Sequence, residues 1–96
     1  MLREDKNYKI SCVLSKEHLV IWVFDKEKDH YYRCVMVYND ELPKMIKEQI
    51  DDIKELYDYL RKNEENISFK ERCIVIKFEF GLSKKLTEDR IELEQL

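Results

Sequence analysis

The first forty residues read as three strands, the first alternating apolar and polar and the next two apolar on both faces, before the pattern switches to a helical period. From Tyr8, the residues Tyr8, Ile10, Cys12 and Leu14 fall on one side, and Lys9, Ser11 and Val13 on the other. Successive side chains of a strand point to opposite faces, so this stretch predicts a first strand with one wetter face. Ser15, Lys16 and Glu17 make a tight connection. His18 to Phe24 is apolar on both faces, with Leu19, Ile21 and Val23 against Val20, Trp22 and Phe24. A strand without alternation is usually central and covered on both sides. After the polar loop Asp25 to Asp29, His30 to Tyr38 predicts a third strand. It places Tyr32, Cys34, Met36 and Tyr38 on one face and Tyr31, Arg33, Val35 and Val37 on the other.

From Asp40 to Asn63 the period becomes helical. Leu42, Ile46, Gln49, Ile53, Leu56 and Leu60 recur at steps of four and three, and Met45, Ile50 and Tyr57 widen the stripe. Such spacing gathers apolar side chains on one face, broad enough here to lie on a sheet. Asp40 and Glu41 suit the positive end of the helix dipole, and Pro43 suits its first turn. The other face, from Lys44 to Lys62, is charged and expected in water.

Residues 67–72 read as a connector. Cys73 to Phe80 predicts a fourth strand, with Ile74, Ile76, Phe78 and Phe80 toward the core, and Gly81 breaks it. The tail is ambiguous: Thr87-Glu88-Asp89 has the grammar of a helix start, with Leu86 and Ile91 as a staple. Residues 90–94 instead alternate like a strand, and a short helix is narrowly favoured. The expected fold is a two-layer α+β domain: a three-stranded antiparallel meander, one long amphipathic helix, a fourth strand returning to the sheet, and a short C-terminal helix or strand. One domain is expected over residues 1–96, with 1–6 frayed and 82–96 as the undecided tail.

Composition sharpens this picture. The chain has 96 residues, 44% of them hydrophobic and 41% charged, and that split argues against disorder. The formal charge is −3 with both signs mixed along the chain, and no basic patch of the kind phosphate binding needs stands out. No apolar run approaches the roughly 20 residues that span a bilayer, and no signal-peptide pattern follows the N-terminus, so an intracellular, cytoplasmic setting is the default. Cys12, Cys34 and Cys73 are widely spaced in apolar runs, as buried free thiols are, and form no metal-binding pair.

Candidate chemistry is sparse. His18 and His30 each follow an acid, yet both sit at predicted strand ends, where a half-exposed turn histidine is the plain reading. Asp51-Asp52 lies on a predicted helix, where neighbours diverge by about 100°, so it is no acid–base dyad. One glycine cannot build a phosphate cradle. No catalytic, cofactor or metal residue is therefore expected.

A supply problem carries the functional expectation. The second and third strands are apolar on both faces, whereas one helix covers only one. The face holding either Trp22 and Phe24 or Leu19, Ile21 and Val23 needs a second cover, for which the tail offers Leu82, Leu86, Ile91, Leu93 and Leu96. A large uncovered patch marks a partner surface. The expected function is a small non-catalytic interaction or regulatory module, self-associating as a homodimer through a face containing Trp22, Tyr31, Arg33 and Val35. The alternative is a single-stranded nucleic-acid or nucleotide binder using Tyr31-Tyr32-Arg33. A third reading is a small enzyme using His18 or His30.

Overall fold

The computed structural model describes residues 1–39, 42–80 and 85–96. It is a mixed α+β protein built from antiparallel sheets and one regular helix. The meander is present: β1 (Arg3–Glu4), β2 (Tyr8–Ser15), β3 (His18–Asp25) and β4 (His30–Val37) are successive neighbours in one sheet. The two-residue connection at Lys16 and Glu17 sets Val13 opposite Val20 and Ser11 opposite Trp22.

Residues 1–6 are not simply frayed. Arg3 pairs with Ile10, and Leu2 is buried at 4% exposure. The Arg3 guanidinium donates to the carbonyl of Ile67 at 2.7 Å, which ties the first edge of the molecule to its far side. An apolar second residue and an arginine with a carbonyl to reach outweigh the fraying expected of a terminus.

The long helix is not formed as one piece. A short turn α1 (Lys44–Lys47) is followed by a break, and α2 spans only the ten residues Ile53–Lys62. The reason is Asp52, whose extended backbone and Oδ1, accepting from the Glu55 N–H at 2.9 Å, make it the N-cap of a new helix. Aspartate competes for backbone donors in this way, and here that outweighs propagation through Asp51-Asp52. The apolar stripe survives the break: Leu42, Ile46, Ile50, Ile53, Leu56 and Leu60 are all buried. Pro43 caps α1 with φ −51° and lies just ahead of it, not within its first turn. Asn63 ends α2, and a 3-10 turn at Glu64–Asn66 follows.

The remainder corrects the expected topology. Residues 67–72 are not a plain connector: Ile67–Lys70 form β5, and Glu71 and Arg72, at φ 53° and 66°, make a left-handed two-residue hairpin turn. β6 (Cys73–Phe80) does not return to the meander. It is the centre of a second sheet, between β5 and β7 (Lys85–Glu92). The tail is therefore strand, not helix. Alternation at Arg90-Ile91-Glu92 overrides the helix-start grammar because β6 offers eight paired positions, from Cys73 opposite Glu92 to Phe80 opposite Lys85. The expectations for Asp40 and Glu41 at the helix start, Gly81 as a strand break and Leu82 as cover lie outside the described residues, as do those for the side chains of Met45, Phe80 and Leu86.

The two sheets share a chain at their corner. The Leu93 N–H still donates to Arg72 O of the second sheet at 2.9 Å, while β8 (Glu94–Gln95) pairs with β4, opposite Arg33 and Tyr32. Strands that change sheets make corners of this kind. Both sheets and α2 enclose one apolar core. Ile10, Leu19, Ile21 and Val23 from the meander, Ile74, Ile76 and Phe78 from the second sheet, and Leu56 and Leu60 from α2 belong to it. Tyr59 fastens α2 to β6 through its ring, 4.8 Å from Phe78, and its hydroxyl, which donates to Lys77 O at 2.7 Å.

Candidate protein-binding face

The site is the outer surface of the meander. β3 and β4 alternate buried and half-buried residues, so Leu19, Ile21, Val23, Tyr32 and Met36 enter the core. The alternate positions are just as apolar but point the other way. Register then lines them up in rows across the strands. Lys9, Phe24 and Tyr31 make one row; Ser11, Trp22, Arg33 and Glu94 make the next; Val13, Val20 and Val35 make a third; His18 and Val37 close the patch.

Local contacts stiffen this surface. The Phe24 and Tyr31 rings stack at 4.6 Å, and the Arg33 guanidinium lies 5.4 Å from the Trp22 ring centroid. Cross-strand aromatic and cation–ring pairs of this kind fix rotamers ahead of any binding event. Even so, Val13, Tyr31 and Val35 keep 54, 53 and 52% of their surface exposed. The helix packs on the opposite face of the same sheet, and the tail that was expected to supply a second cover is spent on β7 and β8.

Trp22, Tyr31, Arg33 and Val35, singled out from sequence, are brought together: Trp22 and Arg33 are direct cross-strand partners, with Tyr31 and Val35 two residues to either side. The Tyr31-Tyr32-Arg33 run is split, because period-two geometry turns Tyr32 into the core at 2% exposure. Sequence reasoning missed Val13 and Lys9 as members of the patch, while Phe24 was named beside Trp22 on one of the two faces left needing cover. Lys9 and Ser11 made the outer side of β2 read as merely wet. The two-residue turn at Lys16 and Glu17 was the signal that would have registered Val13 with Val20.

The remaining candidates are dispersed. His18 lies opposite Val37 and His30 opposite Asp25, so the histidines occupy opposite ends of the β3–β4 pair. The Nδ1 of His30 is 3.2 Å from the Gln95 amide nitrogen. Cys12 and Cys34 flank Ile21 on the core side, and all three cysteines are free. Burial pushes the Cys12 thiol up and the Cys34 thiol up to about 11, far from thiolate chemistry at neutral pH. Among the described residues, no group of three or more His, Cys, Asp or Glu is placed to hold a metal ion, and no helix is long and apolar enough to cross a membrane.

Asp89 is a further residue that sequence reasoning misassigned. It lies on β7, not at a helix start, and its carboxylate accepts from the backbone N–H of Ile46 in α1. Its Oδ2 is sealed without a hydrogen-bond partner, and burial raises its pKa from the ordinary value. Comparison of the chain with family models, with curated proteins and with solved structures returns no match.

Proposed function

We propose that this protein is a small non-catalytic interaction module that self-associates through the outer face of its meander. The observation that carries the reading is the uncovered apolar patch centred on Val13, Tyr31 and Val35, each more than half exposed. Six residues along the strands and three strands across give a flat area of about 300 Å², already at the scale of the largest patch on an ordinary monomer. Trp22, Tyr31 and Arg33 on it are the residue types that dominate interface energetics.

A second copy fits this face better than a foreign chain of one sign. Its margin carries Lys9 and Arg33 beside Glu4 and Glu94, so two copies related by a two-fold axis can set cations against acids. The area is well below the ~800 Å² per partner of a standard interface, so the dimer is weak and concentration-dependent.

The test is sedimentation equilibrium of the full chain from about 10 μM to about 1 mM, spanning the range where a weak interface titrates. Mass should rise toward that of a dimer, and Val35→Lys should hold the chain monomeric without loss of fold. A monomer at every concentration overturns the reading. One specific observation favours the second reading, single-stranded nucleic acid. Lys9, Phe24 and Tyr31 share a row beside Trp22 and Arg33, which is a stacking surface with cations at its margin. Salt-dependent binding of an oligonucleotide that Tyr31→Ser removes would transfer the face to that function.

A further inference from the structure

A cavity at one end of the molecule, apart from the outer face, is built from four segments that the sequence gives no reason to associate. The start of β2 contributes Asn7 and Tyr8, and the turn after β3 contributes Asp25, Glu27 and Lys28. The core side of β4 contributes Tyr32, and the β5–β6 turn contributes Phe69 to Arg72. It is an open depression of about 520 Å³, within the size range of small-molecule sites.

Its floor is aromatic. The Phe69 ring centroid lies 5.8 Å from that of Tyr8, edge on, and 5.2 Å from that of Tyr32. Tyr8 and Phe69 are only half-buried, so part of each ring faces the opening. Tyr32 is 2% exposed, yet its hydroxyl has no hydrogen-bond partner among the described residues. It is also not among the side-chain oxygens sealed from solvent. The small accessible part of this buried residue therefore includes a free hydroxyl, and the cavity is where Tyr32 meets solvent. A hydroxyl that opens into the cavity without an internal partner can donate to or accept from a ligand atom there.

The rim supplies charge. Lys28, Lys70 and Arg72 make no ion pair among the described residues. The acids beside them are largely committed. Asp25 accepts from the backbone N–H groups of Glu27 and Lys28 at 3.1 and 3.2 Å, and Glu71 pairs with Arg90 at 3.7 Å. The lining thus carries three cations without an ion pair beside three carboxylates, Asp25, Glu27 and Glu71, of which Glu71 alone has a cationic partner. Arg72 is the second residue of the left-handed turn and Lys70 the last of β5 before it, so their backbone positions are fixed by the hairpin.

We propose that this cavity binds a small planar aromatic anion: a ring carrying a carboxylate or a phosphate. The ring lies against Phe69 and Tyr8 and offers a polar edge to the Tyr32 hydroxyl, and the anionic group is held by Lys28, Lys70 and Arg72. Aromatic stacking with charge-assisted hydrogen bonds at one side is the pairing such ligands require. This site shares no aromatic residue with the outer face and does not rest on self-association.

The experiment is a ¹⁵N NMR titration of the full chain with 4-hydroxybenzoate and with adenosine 5′-monophosphate. The neutral controls are 4-hydroxybenzamide and adenosine, and inorganic phosphate is titrated alone. Saturable shifts are expected at the amides of Tyr8, Lys28 and Phe69 to Arg72. The neutral analogues should bind about tenfold more weakly or worse, the scale of a charge-assisted hydrogen bond. Lys70→Ala with Arg72→Ala should erase the preference for the anion while leaving the neutral ring's affinity in place, and Phe69→Leu should weaken both. Stronger binding of the monophosphate than of the benzoate would assign the anion as phosphate, and the reverse as carboxylate. The proposal is overturned by absent or non-saturable shifts, by equal affinity for neutral and anionic rings, or by shifts confined to Trp22, Tyr31 and Val35. It is also overturned if phosphate alone binds as tightly as the nucleotide, which would leave an ion site without a ring.

Discussion

The inner and outer faces of β3 and β4 are both largely apolar and have opposite fates. Inside, Ile21 and Val23 are sealed by α2 and the second sheet; outside, Val20 and Val35 on the same strands meet solvent. Hydrophobicity of a strand therefore says that both of its faces could be covered, not that both are. Cover is a separate resource, and among the described residues it leaves Val13, Tyr31 and Val35 more than half exposed. The helix reaches one face, and the tail closes the corner between the sheets by pairing with β6 and β4. An uncovered apolar face on an otherwise well-covered protein is where binding is expected.

That contrast can be broken most directly by truncating one residue from each face. Ile21→Ala, at a site 1% exposed, should cost about 3 kcal/mol of unfolding free energy by denaturant titration, since it leaves a cavity in a packed core. Val35→Ala, its near neighbour on the other side, should change stability by about 0.5 kcal/mol or less, while weakening self-association. Equal costs would mean that the outer face is covered after all.

A smaller effect concerns the covering layer. Asp52→Ala removes the side-chain acceptor at the start of α2 and should cost about 1 kcal/mol, seen as a lowered thermal midpoint. Asp52→Asn keeps an acceptor and should recover most of it. If Asp52→Ala is neutral, α2 is held by packing alone.

The smallest effect sharpens how α1 is held against the second sheet. Burial raises the pKa of Asp89 in the folded chain above the unfolded value, so the folded state binds this proton more tightly. Stability from this group is then full below the unfolded value of 3.8 and is lost as pH rises through the raised folded value. Asp89→Asn retains an oxygen for the Ile46 N–H and removes the charge. It should raise the thermal midpoint slightly at neutral pH and lose that advantage near about pH 3. A variant less stable than the parent at neutral pH would show that the ionised carboxylate is favoured where it sits.

Much of the outer face was legible in sequence because period-two alternation is local. It alone sends Tyr31, Arg33 and Val35 one way and Tyr32, Cys34 and Met36 the other. The β3–β4 register then needed only a hairpin. What failed were the readings that depended on competition. Asp51-Asp52 interrupts an otherwise continuous apolar stripe, and the grammar Asp52-x-x-Glu55 marks a helix start as plainly as the stripe marks a helix. The cavity was not legible at all. Tyr8, Tyr32 and Phe69 come from three strands, and no spacing along the chain predicts that Phe69 on β5 meets the other two rings.

By itself the sequence determined β2, β3, β4 and β6, the residues each sends to either side, and the apolar stripe that α1 and α2 divide, because each depends on steric rules acting within a few residues. Only the tertiary structure decided that β6 founds a second sheet, that the tail joins it as a strand, and that Val13, Tyr31 and Val35 stay more than half exposed. Those outcomes turn on which distant segments pair, and pairing is set by the surface that each choice buries across the whole chain.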